Sequence, residues 1–268
     1  MWSRLQPGTT HVRYHILVDS HTLGTYGKLA FDAETNARVQ RGPGMENKVW
    51  YLQQNRLFGG ASDDTIQNSE HIFKTCIFPK RSLVFDQGDP TRVVYLIKRG
   101  KVRITRLTPD GKEVTVAVLG AGDIFGEETL FDDQPRTTHA VCIDECLLCT
   151  AKADDLFALL AASPTLAINV AKILSDRLVD ASATMEVLAY AKISDRLMHL
   201  FIRLASEHGV PSENGTLLDV RLTHADIASL IGSTRETVSL EMANLARAGR
   251  IAYDGKSITI PRAELPAG

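Results

Sequence analysis

No stretch limits the fold of this chain as much as the one from Leu222 to Arg247, which reads as two short helices joined by a tight turn. Thr223 can cap the first helix. Asp226, three residues on, puts a carboxylate where the helix dipole favours one. The first pattern runs to Ile231, and Gly232 can end it without strain because glycine accepts a left-handed backbone. Ser233 and Glu236 then spell a Ser-x-x-Glu capping box at the start of a second helix. On that helix Val238, Met242 and Leu245 recur at helical spacing as a packing face. Glu236, Ser239 and Ala243 point away from it, and Arg235 stands at the exposed N-terminal border.

Two capped helices around a glycine turn describe a helix-turn-helix, whose second helix lies in the DNA major groove. On these residues alone, a helical hairpin with a solvated face is an equal alternative. The residues C-terminal to the second helix favour DNA. Ile251-Ala-Tyr253 runs through Asp254-Gly255 into Ser257-Ile-Thr-Ile260, and Asp-Gly between β-rich runs signals a hairpin. A hairpin directly behind a helix-turn-helix makes a winged helix. The candidate DNA contacts are Thr223, Thr234, Arg235, Glu236, Ser239 and Lys256. Arginine can pair with guanine through two hydrogen bonds, glutamate can accept from the cytosine amino group, and Lys256 at the hairpin tip can reach a phosphate. The net charge of -2 does not advertise nucleic acid, so binding rests on the local placement of Arg235, Arg247, Arg250 and Lys256.

A chain of 268 residues can hold two domains with sizeable cores. No apolar run approaches membrane-spanning length and the N-terminus carries no signal-peptide pattern, so no membrane partner and a cytoplasmic location are expected. The four cysteines form no secreted disulfide framework, in agreement.

Residues 1–44 show no sustained periodicity and end in the linker-like Arg41-Gly-Pro-Gly44. They read either as an appended extension without stable structure or as a segment upstream of a natural start at Met45; the second reading is preferred. From Ile72 to about Ala151 short β-rich runs alternate with turns, including Ser82–Phe85, Val93–Ile97, Lys101–Arg106 and Glu113–Leu119. That spacing indicates a sandwich or roll. The stretch Gly126 to Thr137 suits a phosphate. Arg136 offers a planar cationic fork, Glu127 can accept from a ribose hydroxyl, Gly126 lets backbone approach closely and Thr137 adds a hydroxyl. The plainer alternative is that Arg136 forms a structural bridge with Glu127 or Glu128. In residues 165–191, Val170, Leu174, Leu178, Ala181, Met185 and Leu188 step by three and four like a coiled-coil seam. Cys142, Cys146 and Cys149 match an iron–sulfur spacing in letters, but alternate strand positions face opposite ways, so they read as core thiols and no metal is expected.

The order of these parts, the Gly126-Glu127 to Arg136-Thr137 spacing and Arg235-Glu-Thr-Val238 together resemble the Crp/Fnr family of bacterial transcription regulators. The resemblance covers nearly everything from about Ile72 onward. It implies an α+β chain with an N-terminal cyclic-nucleotide-binding-like β-roll (45–164), a long dimerisation helix (165–191) and a C-terminal winged helix-turn-helix (192–268). It implies a homodimer, double-stranded DNA with a two-fold symmetric site, RNA polymerase as a partner, activation as the mode, and no catalysis. The ligand set it implies is Gly126, Glu127, Arg136, Thr137 and Ser182, with cyclic AMP or another cyclic nucleotide as effector. An adjacent Thr-Ser pair on the long helix contacts adenine in cyclic-AMP-binding relatives; here it is Ala181-Ser182, which puts cyclic AMP itself in question. A regulator without an effector, or one answering to cysteine oxidation, is the alternative. A second arginine expected five residues after Arg235 is Leu240, which can touch only a thymine methyl.

Overall fold

The computed structural model of the chain describes residues 30–32, 37–39, 48–109, 111, 113–131, 133–255 and 257–265. Two sheets form the N-terminal half. One contains β1 (Ala30–Asp32), β2 (Ala37–Val39), β3 (Lys74–Phe78), β5 (Val93–Arg99), β8 (Ile124–Phe125) and β10 (Cys146–Lys152), in the order β1-β2-β3-β10-β5-β8. The other contains β4 (Leu83–Phe85), β6 (Val102–Leu107), β7 (Glu113–Leu119) and β9 (His139–Cys142), in the order β4-β9-β6-β7. All described pairings within them are antiparallel. The aperiodic N-terminal stretch is corrected in part: six of its residues form β1 and β2, and β2 extends the sheet by pairing Arg38 with Ile77 and Val39 with Cys76. Strand β3 has an open backbone edge there, and main-chain pairing needs no hydrophobic pattern. The rest of residues 1–44 lies outside the described residues.

Strand β5 is apolar from Val93 to Ile97, and β10 is largely apolar from Cys146 to Ala151, because both their faces are covered there. Val93, Tyr95 and Ile97 point into the roll with Phe78, Phe85 and Phe125, while Val94 and Leu96 face a second core with Leu57, Phe58 and Leu156. That second core lies under the helices α1 (Lys48–Gln53), α2 (Asp63–Ser69) and α3 (Ala153–Ala162) and the first half of α4 (Pro164–Tyr190). Asn169 pins α4 there, donating to the Leu57 and Gly59 carbonyls at 2.9 and 2.8 Å. The apolar seam of α4 divides. Val170 is used in this core, Leu188 packs against the Gly232 turn, and Leu174, Leu178 and Met185 between them are exposed. No single helix among the described residues is long and apolar enough to cross a membrane.

The C-terminal half has its own core, built from α5 (Ile193–His208), α6 (His224–Leu230), α7 (Arg235–Arg247) and a four-stranded sheet. That sheet has the order β11-β12-β14-β13, from β11 (Gly209–Ser212), β12 (Gly215–Leu218), β13 (Ala252–Tyr253) and β14 (Ile258–Pro261). The hairpin predicted around Asp254-Gly255 is β13–β14, with Gly255 at φ +87°. Hairpin β11–β12 and helix α5 go beyond the expected elements; Asn214-Gly215 at the hairpin's turn and the buried stripe of Leu197, Leu200, Phe201 and Leu204 on α5 are the sequence signals for them.

The two halves touch. Lys101 pairs with Asp219 at 2.9 Å, Arg103 pairs with Asp226, and His208 Nε2 lies 3.3 Å from the Val118 carbonyl. Strand β7 ends its sheet, and the Ser229 hydroxyl of α6 serves its open side, accepting from Thr115 N–H at 2.6 Å and donating to the Glu113 carbonyl at 3.2 Å.

Candidate nucleic-acid interface and effector site

The turn between α6 and α7 differs by one residue from the expected one. Thr223 caps α6 as predicted, with its hydroxyl on the Asp226 amide at 3.1 Å and the Asp226 carboxylate on the Thr223 N–H at 2.8 Å. Ser233, however, does not cap α7. With Gly232 left-handed at φ +62°, the Ser233 N–H closes back on the Ala228 carbonyl at 2.9 Å and belongs to the end of α6. Thr234 is the extended residue next in the chain, and its hydroxyl takes the Thr237 N–H at 3.2 Å. Glu236 therefore makes no capping box and stays exposed in the first turn.

Val238, Met242 and Leu245 are buried as predicted. Ser239 does not point clear of the protein. Its hydroxyl donates to the Arg235 carbonyl at 2.9 Å and meets His224 Nδ1 at 2.7 Å, while His224 Nε2 meets the Tyr253 hydroxyl at 2.9 Å. One histidine thus ties the first helix, the recognition helix and the wing. Arg221, Thr223, His224, Arg235, Tyr253 and Ser257 line a groove of about 880 Å³ beside this tie. Arg235 is exposed at its rim and makes no side-chain bond among the described residues. Arg250 is not free for DNA: it holds Glu264 through two bonds of 3.0 and 2.9 Å, and their mutual hydrogen bonds raise the arginine pKa and lower the glutamate's. Lys256 lies outside the described residues.

In the roll, Gly126, Glu127 and Arg136 come together, but Arg136 is turned inward and is 2% exposed. Its Nη1 donates to the Gly126 carbonyl at 2.9 Å and to Glu128 at 3.1 Å, and Nη2 donates to the Val93 carbonyl. The guanidinium lies 4.2 Å above the Phe85 ring, within a stack that includes Tyr95 and Phe125 at 4.9 Å. Its Nε is buried without a partner, an unused donor in a site that suits an anion. Gly126 is required twice over: its φ is +76°, and a Cβ there would meet Arg136 Nη1 at 2.8 Å and the Val93 carbonyl at 3.0 Å. The bridge to Glu128 is thus present, and Glu127 has a different partner. Arg177 of α4 donates to Glu127 and to the Ile124 carbonyl. Burial pushes the Glu127 carboxyl above its usual range, against the pull of Arg177. The Thr137 hydroxyl and carbonyl accept from Arg106 at 3.4 and 3.3 Å. Ser182 is exposed on α4, donates to the Leu178 carbonyl at 2.9 Å and has no bond to the rest of the set. Sequence reasoning missed Arg177 and His224; an arginine flanking the seam five residues before Ser182 was the one signal for the first.

The cysteines do not converge. Cys142 and Cys146 line the roll interior and hydrogen-bond to each other, whereas Cys149 faces the outer core. The bond from Cys142 and burial push the Cys146 thiol far up, so it stays protonated.

Residues 76–163 match the family described as the cyclic nucleotide-binding domain, and residues 195–265 match the Crp-like helix-turn-helix domain. The CRP-like cAMP-activated global transcriptional regulator of Mycobacterium tuberculosis (strain ATCC 25618 / H37Rv) is 31% identical over 208 residues, covering 78% of this chain and 93% of that one. The global nitrogen regulator of Synechococcus elongatus is 33% identical over 185 residues, covering 68% and 83%. Among solved structures, the c-di-GMP responsive global regulator CLP of Xanthomonas campestris superposes with a TM-score of 0.65 at 25% identity, covering 75% of this chain and 99% of that one. With the roll, the long helix and the winged helix-turn-helix in the expected order, the chain belongs to the Crp/Fnr family of DNA-binding transcription regulators.

Proposed function

We propose that this chain is a homodimeric transcription activator, acting in the cytoplasm without catalysis of its own, whose DNA affinity is set by a cyclic nucleotide in the roll. The observation that carries the reading is the Gly126–Glu127–Arg136 cluster: a buried cation with an unused N–H beside a carboxylate held by the long helix. A cyclic phosphate would take donors of Arg136, and a ribose hydroxyl would compete with Arg177 for Glu127. Because Arg177 sits on α4, that exchange reaches the exposed seam of Leu174, Leu178 and Met185, which supports α4 as the dimer contact. Ligand then biases how two recognition helices meet a two-fold symmetric site. Contact with RNA polymerase is the mode of activation the reading carries. The cAMP-activated relative favours cyclic AMP, and Ala181 in the adenine-contacting pair favours looser base selection.

A second reading, a regulator with no nucleotide effector, is favoured by Arg136 and Glu127 each having a partner inside the protomer. Calorimetric titration of the full chain with cyclic AMP and cyclic GMP, then DNA binding with and without each, separates the two. Saturable binding that raises DNA affinity is expected. Heats indistinguishable from dilution with DNA binding intact would leave the effector-free reading.

A further inference from the structure

Helix α7 carries an apolar side chain at the centre of the face it turns outward. Val238, Met242 and Leu245 are 0, 1 and 4% exposed and fix the inward direction. Leu240 stands two residues from both Val238 and Met242, so it lies about 200° round the helix from each. Glu236, Leu240, Ala243 and Arg247, spaced four, three and four, form one exposed stripe. Leu240 is 60% exposed. Beyond Ala191, the large hydrophobics left exposed among the described residues are Leu240 and Val210, and Val210 lies on the edge strand β11. Leucine is a good helix former, and lone exposed leucines are ordinary on a protein surface. Here, though, Leu240 and Ala243 make an apolar strip between a carboxylate and a guanidinium, on the one helix face that would meet base edges.

The apolar group a base pair shows in the major groove is the 5-methyl of thymine, or of a methylated cytosine. Five residues of helix advance about 7.5 Å, roughly two base-pair steps, beyond the position reached by Arg235. We propose that Leu240, backed by Ala243, is a specificity-determining residue that reads one pyrimidine 5-methyl group in each half-site, about two base pairs from the pair read by Arg235. The inference rests on α7 being the DNA-reading helix. It also turns the loss of a second arginine into a different choice of base.

The test starts from duplexes selected by the full-length chain from a random-sequence pool, with and without cyclic AMP. Each thymine of an enriched site is then replaced singly by deoxyuridine, which removes only the methyl. At one thymine per half-site the wild type should bind about fourfold more weakly, the effect of burying one methyl group. A 5-methylcytosine pair at that position should outbind an unmodified cytosine pair by a similar factor. Leu240→Ala, exposed and so expected to fold normally, should bind thymine and uracil equally there while keeping its other preferences. Leu240→Arg should move the preferred pair at that position to guanine. Deoxyuridine silent at every thymine, or an equal uracil penalty in Leu240→Ala, would overturn the proposal while enriched sites still upheld DNA reading. If no sequence is enriched, the DNA reading falls and takes this proposal with it.

Discussion

Two arginines, Arg136 in the roll and Arg235 in the winged helix, are both expected from the sequence to meet a ligand, and the protein holds them in opposite ways. Arg235 is exposed, at a helix N-terminus, beside a groove, with its whole donor fork free among the described residues. Arg136 is buried, bonded to two carbonyls and a carboxylate and stacked on an aromatic ring. The first is presented and its partner has only to arrive. The second is part of the core as well, and beyond its one unused Nε–H a ligand must replace bonds that already hold the roll together.

The largest expected effect breaks the open side of this contrast. Arg235→Ala should cost about 1–3 kcal/mol per half-site and relax preference at one base pair, measured on a library of half-sites. Full base preference in the variant would mean that exposure at this helix end does not mark a reading residue. Exposure marks a contact on α4 by the same logic. Met185→Lys should weaken the dimer by about 10- to 100-fold, since an unpaired charge at an apolar seam is disfavoured. Sedimentation velocity reads this directly, and a wild type already monomeric at micromolar concentration would count against the seam.

The sealed side is tested by Arg136→Ala. The sequence alone leaves Arg136 either a phosphate contact or a structural bridge, and the buried bonds make it structural as well. Stranding the buried Val93 carbonyl should also destabilise the roll, by about 1–3 kcal/mol in denaturant melts. A variant that melts like the wild type yet loses cyclic AMP binding would show the inward bonds to be dispensable. The smallest effect lies where the halves meet. Burial holds His208 below its usual pKa, so it stays neutral at pH 7; it meets the Val118 carbonyl as a neutral ring, and its 3.8 Å approach to Glu207 is not an ion pair. Its contribution is fully present above about pH 6.5, the unfolded value, and is lost as the pH falls through the lower folded value. Thermal melts at pH 7.5 and 5.5 should show a larger acid loss for the wild type than for His208→Gln. The raised carboxyls of Glu127 and Glu207 act in the opposite sense and are common to both proteins. An equal loss would clear His208 of the role.

The same contrast explains what the sequence disclosed. The helix-turn-helix was legible because its signals are local: Thr223 and Asp226 are three residues apart, Gly232 marks the turn, and Asp254-Gly255 marks the wing. Even there the cap lies one residue beyond the expected Ser233, because the Ser233 amide answers to Ala228 in the preceding helix. The roll's strands were partly legible by composition, but the state of its site was not. Arg136 bonds to Val93, 43 residues away, and Glu127 to Arg177, 50 residues away, and no spacing rule reaches that far. The Ser239–His224–Tyr253 tie was hidden for the same reason: it joins three elements that meet only after folding.

Strand β7 has a strand neighbour on one side only, and the hydroxyl of Ser229 occupies its other side. The winged helix is therefore a cover for a raw sheet edge as well as a reader of bases. A fragment that stops after the long helix would leave Glu113–Leu119 with unpaired main-chain groups and the exposed Val114 and Val116 beside them. Such an edge is a template for another copy's strand. Cutting the sensor away from its DNA-binding half should thus trade regulation for aggregation, and the isolated roll is best prepared with that edge charged or kept covered.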